Sequence, residues 1–282
     1  RNAMSATMSP SELRRHIRSG EWTKPTSGAA TGFLQANLVM LPASHAFHFL
    51  LFCTRNAKPC PVLDVLEAGV TAPAIAEEAD LRDDLPRYRI FEKGELKEEV
   101  TSVRNRFQPD MVSFLLGCSF SFENAMLAAG LPIRNMEENK NVSMYITNRT
   151  CRPAGPFEAP LVVTMRPMTP AQAVRAVQVT TRFHLTHGAP IHIGDPADLA
   201  GVKTGWVLCG VDDLTLDDLH GLGLPQAQAH RPRDHGAVRL HHVDQGLAAL
   251  DRGGNVHRVQ KIAQRLGCHA DAEVGTVALP GQ

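Results

Sequence analysis

Along the first 200 residues the apolar positions follow two rhythms, one fitting helices and the other strands. Ser9-Pro10-Ser11-Glu12, followed by Leu13 and Ile17, predicts a short helix with a serine cap, an early acid and an end near Gly20. Pro42 to Cys53 predicts a second helix, capped by Ser44, with Phe47, Leu50 and Leu51 on one face. Val62 to Val65 reads as a strand. Tyr88–Phe91 and Glu95–Val100 flank Lys93-Gly94 as the arms of a hairpin, with their charges on a solvated face. Asp110 with Met111, Phe114 and Leu115 fits a capped helix, though the same run also suits a strand. Leu131-Pro132-Ile133-Arg134 reads as the start of another strand.

The clearest topological signal lies further on. Leu161–Arg166 is strand-like, Thr169-Pro170-Ala171-Gln172 opens a helix with a capping box, and Pro190–Gly194 is a second strand. Val174, Val177, Gln178 and Thr181 continue one face of that helix. Strand, helix, strand predicts a βαβ unit with parallel strands, whose ligands gather beyond the carboxyl ends of the strands. Arg166 and Asp195 fall at those ends, with His187 and His192 nearby. The expected fold is therefore mixed α/β and two-lobed. It has a βαβ unit near residues 160–195 and a partly parallel mixed sheet flanked by helices.

Composition divides the chain. Residues 1–31 form an N-terminal helix and loop, and 32–200 form the core. Beyond Gly201 the only aromatic is Trp206, and seven of the thirteen histidines lie there, which sets 201–282 apart. His241-His242 lacks the spacing of a zinc site and reads as solvated. Lys and Arg number 29 and so do Asp and Glu, which points away from nucleic acid and anionic membranes as partners. The six cysteines form no C-x-x-C pair, so neither a zinc site nor a disulfide scaffold is expected, and a reducing, cytoplasmic location fits. No apolar run is long enough for a transmembrane helix or a signal-peptide core. Met4 or Met8 reads as the native start.

The candidate chemistry centres on Leu115–Gly130. An apolar run reaches Gly117 and is followed by Cys118, Ser119, Ser121 and Glu123. The pattern then turns helical, through Phe122, Met126 and Leu127 to Gly130 at the C-terminal cap. Ser119 or Ser121 suits the N-cap, and an acid is favoured in the first turn. Backbone N–H groups at such a helix start can bind an anion, and a cysteine there can be acidified. Arg55, Asn56 and Lys58 lie on a loop stiffened by Pro59 and Pro61, suited to holding a carboxylate. Cys151-Arg152 presents a further thiol and guanidinium. Gln35 and Asn37 sit in apolar company, where an amide either braces the chain or meets a ligand.

Several blocks together carry a family resemblance. They are Gln35-Ala-Asn-Leu-Val39, Phe49–Pro61, Ala79–Arg89, Leu116-Gly-Cys-Ser-Phe-Ser-Phe-Glu123, Cys151-Arg-Pro-Ala-Gly155, Met165-Arg-Pro167 and His187–Pro196. In this order the chain resembles the bacterial hydro-lyases related to D-glutamate cyclase, from about Gly32 to Asp198. The resemblance implies a lyase, without cofactor or metal, that converts D-glutamate to 5-oxo-D-proline and water or acts on a similar small acid. The family's closing T-H-x-P-G-H-M segment is missing. Trp206-Val-Leu-Cys-Gly-Val211 resembles its preceding strand.

On this basis Cys118, Ser119, Ser121, Glu123, His187 and Asp195 are the candidate catalytic residues. Asn37, Arg55, Asn56, Lys58, Arg152, Arg166 and His192 are the candidates for binding a small amino or carboxylic acid. A cysteine-dependent amidohydrolase using Cys118 and His187, a different hydro-lyase or lactam hydrolase, and a non-catalytic binder of small acids are the alternatives. Homo-oligomerisation is left open.

Overall fold

A computed structural model describes residues 8–76, 78–92, 94–138, 140, 142 and 144–194, with the backbone of 238–244 and 274–278. In chain order the elements are α1 (Pro10–Arg18), β1 (Ala36–Pro42), α2 (Ala43–Arg55), β2 (Val62–Leu66), β3 (Arg87–Glu92), β4 (Glu95–Val100), β5 (Met111–Gly117), α3 (Phe120–Ala128), α4 (Arg134–Glu137), β6 (Met144–Thr150), β7 (Pro160–Met168), α5 (Pro170–Thr180), β8 (His192–Gly194), β9 (Val238–Asp244) and β10 (Val274–Ala278), with 3₁₀ turns at Ala74–Ala76 and His184–Thr186. Asp195 and the Trp206–Val211 segment lie outside the described residues.

Six strands form one sheet in the order β2-β5-β1-β10-β3-β4, and four form a second in the order β6-β7-β9-β8. In the first sheet β10 runs parallel to both β1 and β3, and the other pairs are antiparallel. In the second, β9 is antiparallel to both β7 and β8, so β7 and β8 run parallel with one strand between them. The β7–α5–β8 unit is thus the expected βαβ unit, its last strand shortened to His192–Gly194. The fold is mixed α/β, as the alternation of elements predicts.

Local chemistry explains the elements that were legible. Ser9 and Glu12 close a capping box on α1, and Thr169 and Gln172 close one on α5. Met111–Gly117, which suited either rhythm, is a strand buried along its whole length. Sheet pairing on both sides, with β1 and with β2, satisfies its backbone.

Four expectations are corrected. Helix α2 begins after Pro42 without a side-chain cap, so Ser44 does not cap it. Its inner face is Phe49, Phe52 and Cys53, while Phe47 is 70 % exposed. Phe49 packs edge-on to Phe114 at 4.8 Å, and both Phe49 and Phe52 meet Phe157. On α5 the buried positions are Ala173, Ala176, Val179 and Thr180, with Val174 outward, because Ala173, Ala176 and Val179 share a core with Phe122 and Met126 of α3. Leu131–Arg134 is no strand. Leu131 and Ile133 fill that same core and Arg134 starts α4.

An ionic knot ties α1 to the turn before β3. Asp84 is held by Arg18 through two contacts and by Arg14 at 3.7 Å, and Asp80 is held by Arg82 and Arg104. Tyr88 seals the same turn by donating to the Leu81 carbonyl at 2.8 Å.

Candidate functional site

The amino end of β1 and the carboxyl end of β5 lie side by side, with Ala36 opposite Gly117. Gly117 is the narrow point. Its N–H donates to the Pro61 carbonyl at 2.8 Å, and a Cβ there would stand 1.9 Å from the Leu185 carbonyl oxygen. Only glycine lets the 3₁₀ turn before His187 rest against the end of β5.

Immediately after this point the chain turns into α3. Ser119 occupies its N-cap without a side-chain cap bond. The Ser121 hydroxyl accepts from Gln35 N–H at 2.8 Å and lies 3.2 Å from the Gln35 carbonyl. The N–H groups of Cys118, Ser121 and Phe122 donate to the carbonyls of Gln35, Cys118 and Ser119. These three donors are committed within the protein, which weakens the expectation of an oxyanion cradle at this helix start. Gln35 braces the chain through its backbone. Its side-chain oxygen accepts from Thr26 at 2.7 Å.

The centre of the candidate site is an ion pair between α3 and β7. Arg166 Nη2 on β7 donates to Glu123 Oε1 on α3 at 3.0 Å, and the residues are 4 % and 2 % exposed. The Arg166 guanidinium carbon lies 5.9 Å from the centre of the Phe122 ring. Ser27 donates to the second carboxylate oxygen, Glu123 Oε2, at 2.8 Å. Arg166 Nε and Nη1 are buried and have no hydrogen-bond partner among the described residues, nor does the hydroxyl of Ser119. Ser119, Phe122 and Glu123 are spaced i, i+3, i+4, so they share one face of the helix. Arg166 lies inside β7 rather than at its carboxyl end, two residues before Met168.

A buried guanidinium with idle N–H groups is costly, because each unmet donor forfeits roughly 1–3 kcal/mol of solvation. A ligand carboxylate supplies an acceptor for either idle donor, Nε or Nη1, which point to different sides of the guanidinium with Nη2 between them. Glu123 would then share one guanidinium with a second anion. That charge balance favours a ligand that also carries a cation near its carboxylate.

His187 follows the 3₁₀ turn that rests against Gly117. It adopts a left-handed backbone, φ 77°, the one non-glycine residue to do so among those described, and it is 2 % exposed. Its Nδ1 donates to the Lys58 carbonyl at 3.0 Å, which leaves Nε2 as the basic nitrogen of the neutral ring. The Lys58 ammonium donates to the carbonyls of His187 and Ala189, and burial lowers its pKa. Lys58 thus positions the His187 turn rather than standing free for a substrate carboxylate.

Two other expected carboxylate holders are also committed to the protein. Asn56 donates to the carbonyls of Phe52 and Arg152 and accepts from the Arg152 N–H at 2.8 Å. Arg55 donates to the Pro153 carbonyl. Arg152 is exposed, and Asn37 is 6 % exposed on β1 opposite Leu116. His192 is half-buried on β8, paired with His241 of β9. Cys118 is buried with Phe120 and Val142. Cys53, Cys60 and Cys151 share the core of α2, where burial pushes the Cys151 thiol up to about 12. Among the described residues no group of three or more His, Cys, Asp or Glu is arranged to hold a metal ion, and no helix is long and apolar enough to cross a membrane.

Ser27 is the participant that sequence reasoning missed. It lies in a run of small polar residues, Thr23–Thr31, with no periodicity to single it out. A cavity of about 400 Å³, lined by Leu13, Ile17, Leu38, Leu63 and Leu115, lies on the far side of Thr26 and Gln35, and neither Glu123 nor Arg166 lines it.

Residues 112–205 match the D-glutamate cyclase family, a span running from β5 through α3, β7 and α5. A protein of Syntrophobacter fumaroxidans is 56 % identical over 197 residues, covering 70 % of this chain and 76 % of its own. One from Geobacillus kaustophilus is 58 % identical over 193 residues, 68 % of this chain and 73 % of its own. One from Rubrobacter xylanophilus is 53 % identical over 193 residues, 68 % and 74 % respectively. All three carry the name "Putative hydro-lyase".

Proposed function

Since the chain belongs to the D-glutamate cyclase family of hydro-lyases, we propose that it dehydrates D-glutamate, or a closely similar small amino acid, to a lactam such as 5-oxo-D-proline. The observation that carries this reading is the buried Arg166 guanidinium beside Glu123, with Nε and Nη1 unpartnered among the described residues. The α-carboxylate of the substrate accepts from an idle N–H of Arg166, and its ammonium offsets the charge of Glu123. The γ-carboxyl then folds back towards the nitrogen.

In the reaction the amine nitrogen attacks the γ-carboxyl carbon. The C–N bond forms, one C–O bond breaks, and the departing oxygen leaves as water. Two protons leave the substrate nitrogen and two reach that oxygen, so the net charge of substrate and product is the same. In this reading Glu123 takes a proton from nitrogen, and His187 Nε2 is the second candidate for shuttling protons. Holding the amine against its own carboxyl in a near-attack pose supplies several kcal/mol of the barrier. Cys118 forms a wall of the site, since a thioester made from a free carboxylate without activation is uphill.

Incubation with D-glutamate and L-glutamate, followed by chiral chromatography of 5-oxoproline, tests the reading. D-specific product supports it, and folded protein that converts neither enantiomer rejects glutamate as the substrate.

A further inference from the structure

We propose that Ser27 is a positioning residue for Glu123, carried on a strap formed by residues 26–35. The proposal rests on the role just given to Glu123. A carboxylate turns easily about its last torsion, whose energy profile is broad. Here its two oxygens are held from two different elements, Oε1 by Arg166 of β7 and Oε2 by Ser27 of the strap. Two donors at the two oxygens fix the plane of the carboxylate, which a single ion pair does not. Arg166 is the charged group that faces Glu123, and Ser27 is its neutral counterpart.

The strap is built to hold that hydroxyl in place. Ala29 and Ala30 are buried against Leu13 and Ile17 of α1, so the N-terminal helix anchors its outer end. Thr26 donates to the Gln35 side chain and closes the strap on itself. Gln35 is tied by its backbone to Cys118 and Ser121, on the helix that presents Glu123. Gly28 turns the chain just after Ser27 at φ 72°, and a Cβ there would meet Met136 at 3.1 Å. Thr26, Ala30, Phe33, Leu34 and Gln35 of the strap line the apolar cavity, whereas Ser27 reaches the carboxylate.

The test uses the full chain with Ser27→Ala, Ser27→Thr and Thr31→Ala. Thr31 donates to the Gly28 carbonyl within the strap, so its loss reports on loop integrity alone. In the D-glutamate assay Ser27→Ala is expected to lower kcat by about ten- to a hundredfold, the lower part of the range for an acid–base group, with KM changed less than about threefold. Ser27→Thr keeps the hydroxyl and restores most of kcat, and Thr31→Ala stays near wild type. An unchanged kcat in Ser27→Ala, no recovery in Ser27→Thr, or an equal loss in Thr31→Ala overturns the proposal. If wild-type protein converts no substrate, the reaction assignment has failed rather than Ser27. Crystal structures of wild type and Ser27→Ala then decide: a reoriented Glu123 side chain supports the role, and the same single orientation rejects it.

Discussion

Lys58 and His187 hold each other across 129 residues of sequence. The lysine ammonium donates to the His187 and Ala189 carbonyls at 2.8 and 2.6 Å, and the His187 ring donates back to the Lys58 carbonyl at 3.0 Å. The left-handed backbone of His187 persists because three bonds and the Gly117 contact over-determine it. Lys58→Met removes both ammonium bonds while keeping much of the side chain's bulk. It is expected to lower stability by about 1–3 kcal/mol in urea unfolding. It should also reduce kcat/KM if His187 moves protons.

The Glu123–Arg166 pair predicts an asymmetry between single and double replacement. Arg166→Ala strands a buried carboxylate and is expected to cost about 3–5 kcal/mol. Glu123→Gln combined with Arg166→Met removes both charges and should unfold at a higher temperature than Arg166→Ala alone. Activity gives the opposite pattern, with both variants inactive. Arg166→Lys keeps the charge without the planar fork, and its main effect should be a raised KM. An Arg166→Ala variant with wild-type kcat/KM would remove the guanidinium from the mechanism.

The elements most legible in the sequence were those specified by neighbours in the chain. The capping boxes at Ser9 and Thr169, the β3–β4 hairpin and the strand–helix–strand run each need only a few adjacent residues. Faces were harder to read. Phe47-His-Phe-Leu-Leu-Phe-Cys53 is apolar nearly all round, so periodicity offers two inner faces, and packing against β1 and β5 selects Phe49 and Phe52. On α5 a hydrophobicity ranking chooses valine over alanine, whereas a close helix–helix contact chooses alanine. In the site, Glu123 was identified from its own helix start, but its tie to Arg166 spans 43 residues and its tie to Ser27 spans 96. No local pattern encodes such pairings. The same limit explains why Lys58 and Asn56, which suited a substrate carboxylate on residue type, serve the protein's own backbone.

The thiols give a prediction about reactivity. Cys60 and Cys151 are buried and their thiols are pushed up, Cys60 chiefly by its contact with Cys53 and Cys151 chiefly by desolvation. They stay neutral at pH 8, and only a thiolate attacks a disulfide reagent quickly. Thiol titration of native protein should therefore leave Cys53, Cys60 and Cys151 unmodified until denaturant is added. Cys118→Ser should retain turnover; its complete loss of activity would favour the cysteine-dependent mechanism instead.

Acid sensitivity follows from the ionic knot. Asp80 titrates at about 2, below its ordinary 3.8, held down chiefly by its hydrogen bond from Arg82. Its contribution to stability is full above about pH 4 and is lost as the pH falls towards 2. Urea unfolding of wild type and Asp80→Asn should diverge at neutral pH and converge near pH 2. A constant gap across that range would show that Asp80 does not titrate as its contacts require.

Glu123, Arg166 and Ser119 expose 2, 4 and 0 % of their surface. Among the described residues these three meet almost no solvent, which strengthens every charge among them and leaves little open access to the pair. Each turnover must then include a breathing motion that admits one molecule and releases another, and the rate of that motion sets a ceiling the chemistry cannot exceed. Residues remote from the reacting atoms inherit influence over speed in this way. Whatever part moves aside to admit the substrate would act as the enzyme's clock, and selection for faster catalysis would act there before it reached the carboxylate.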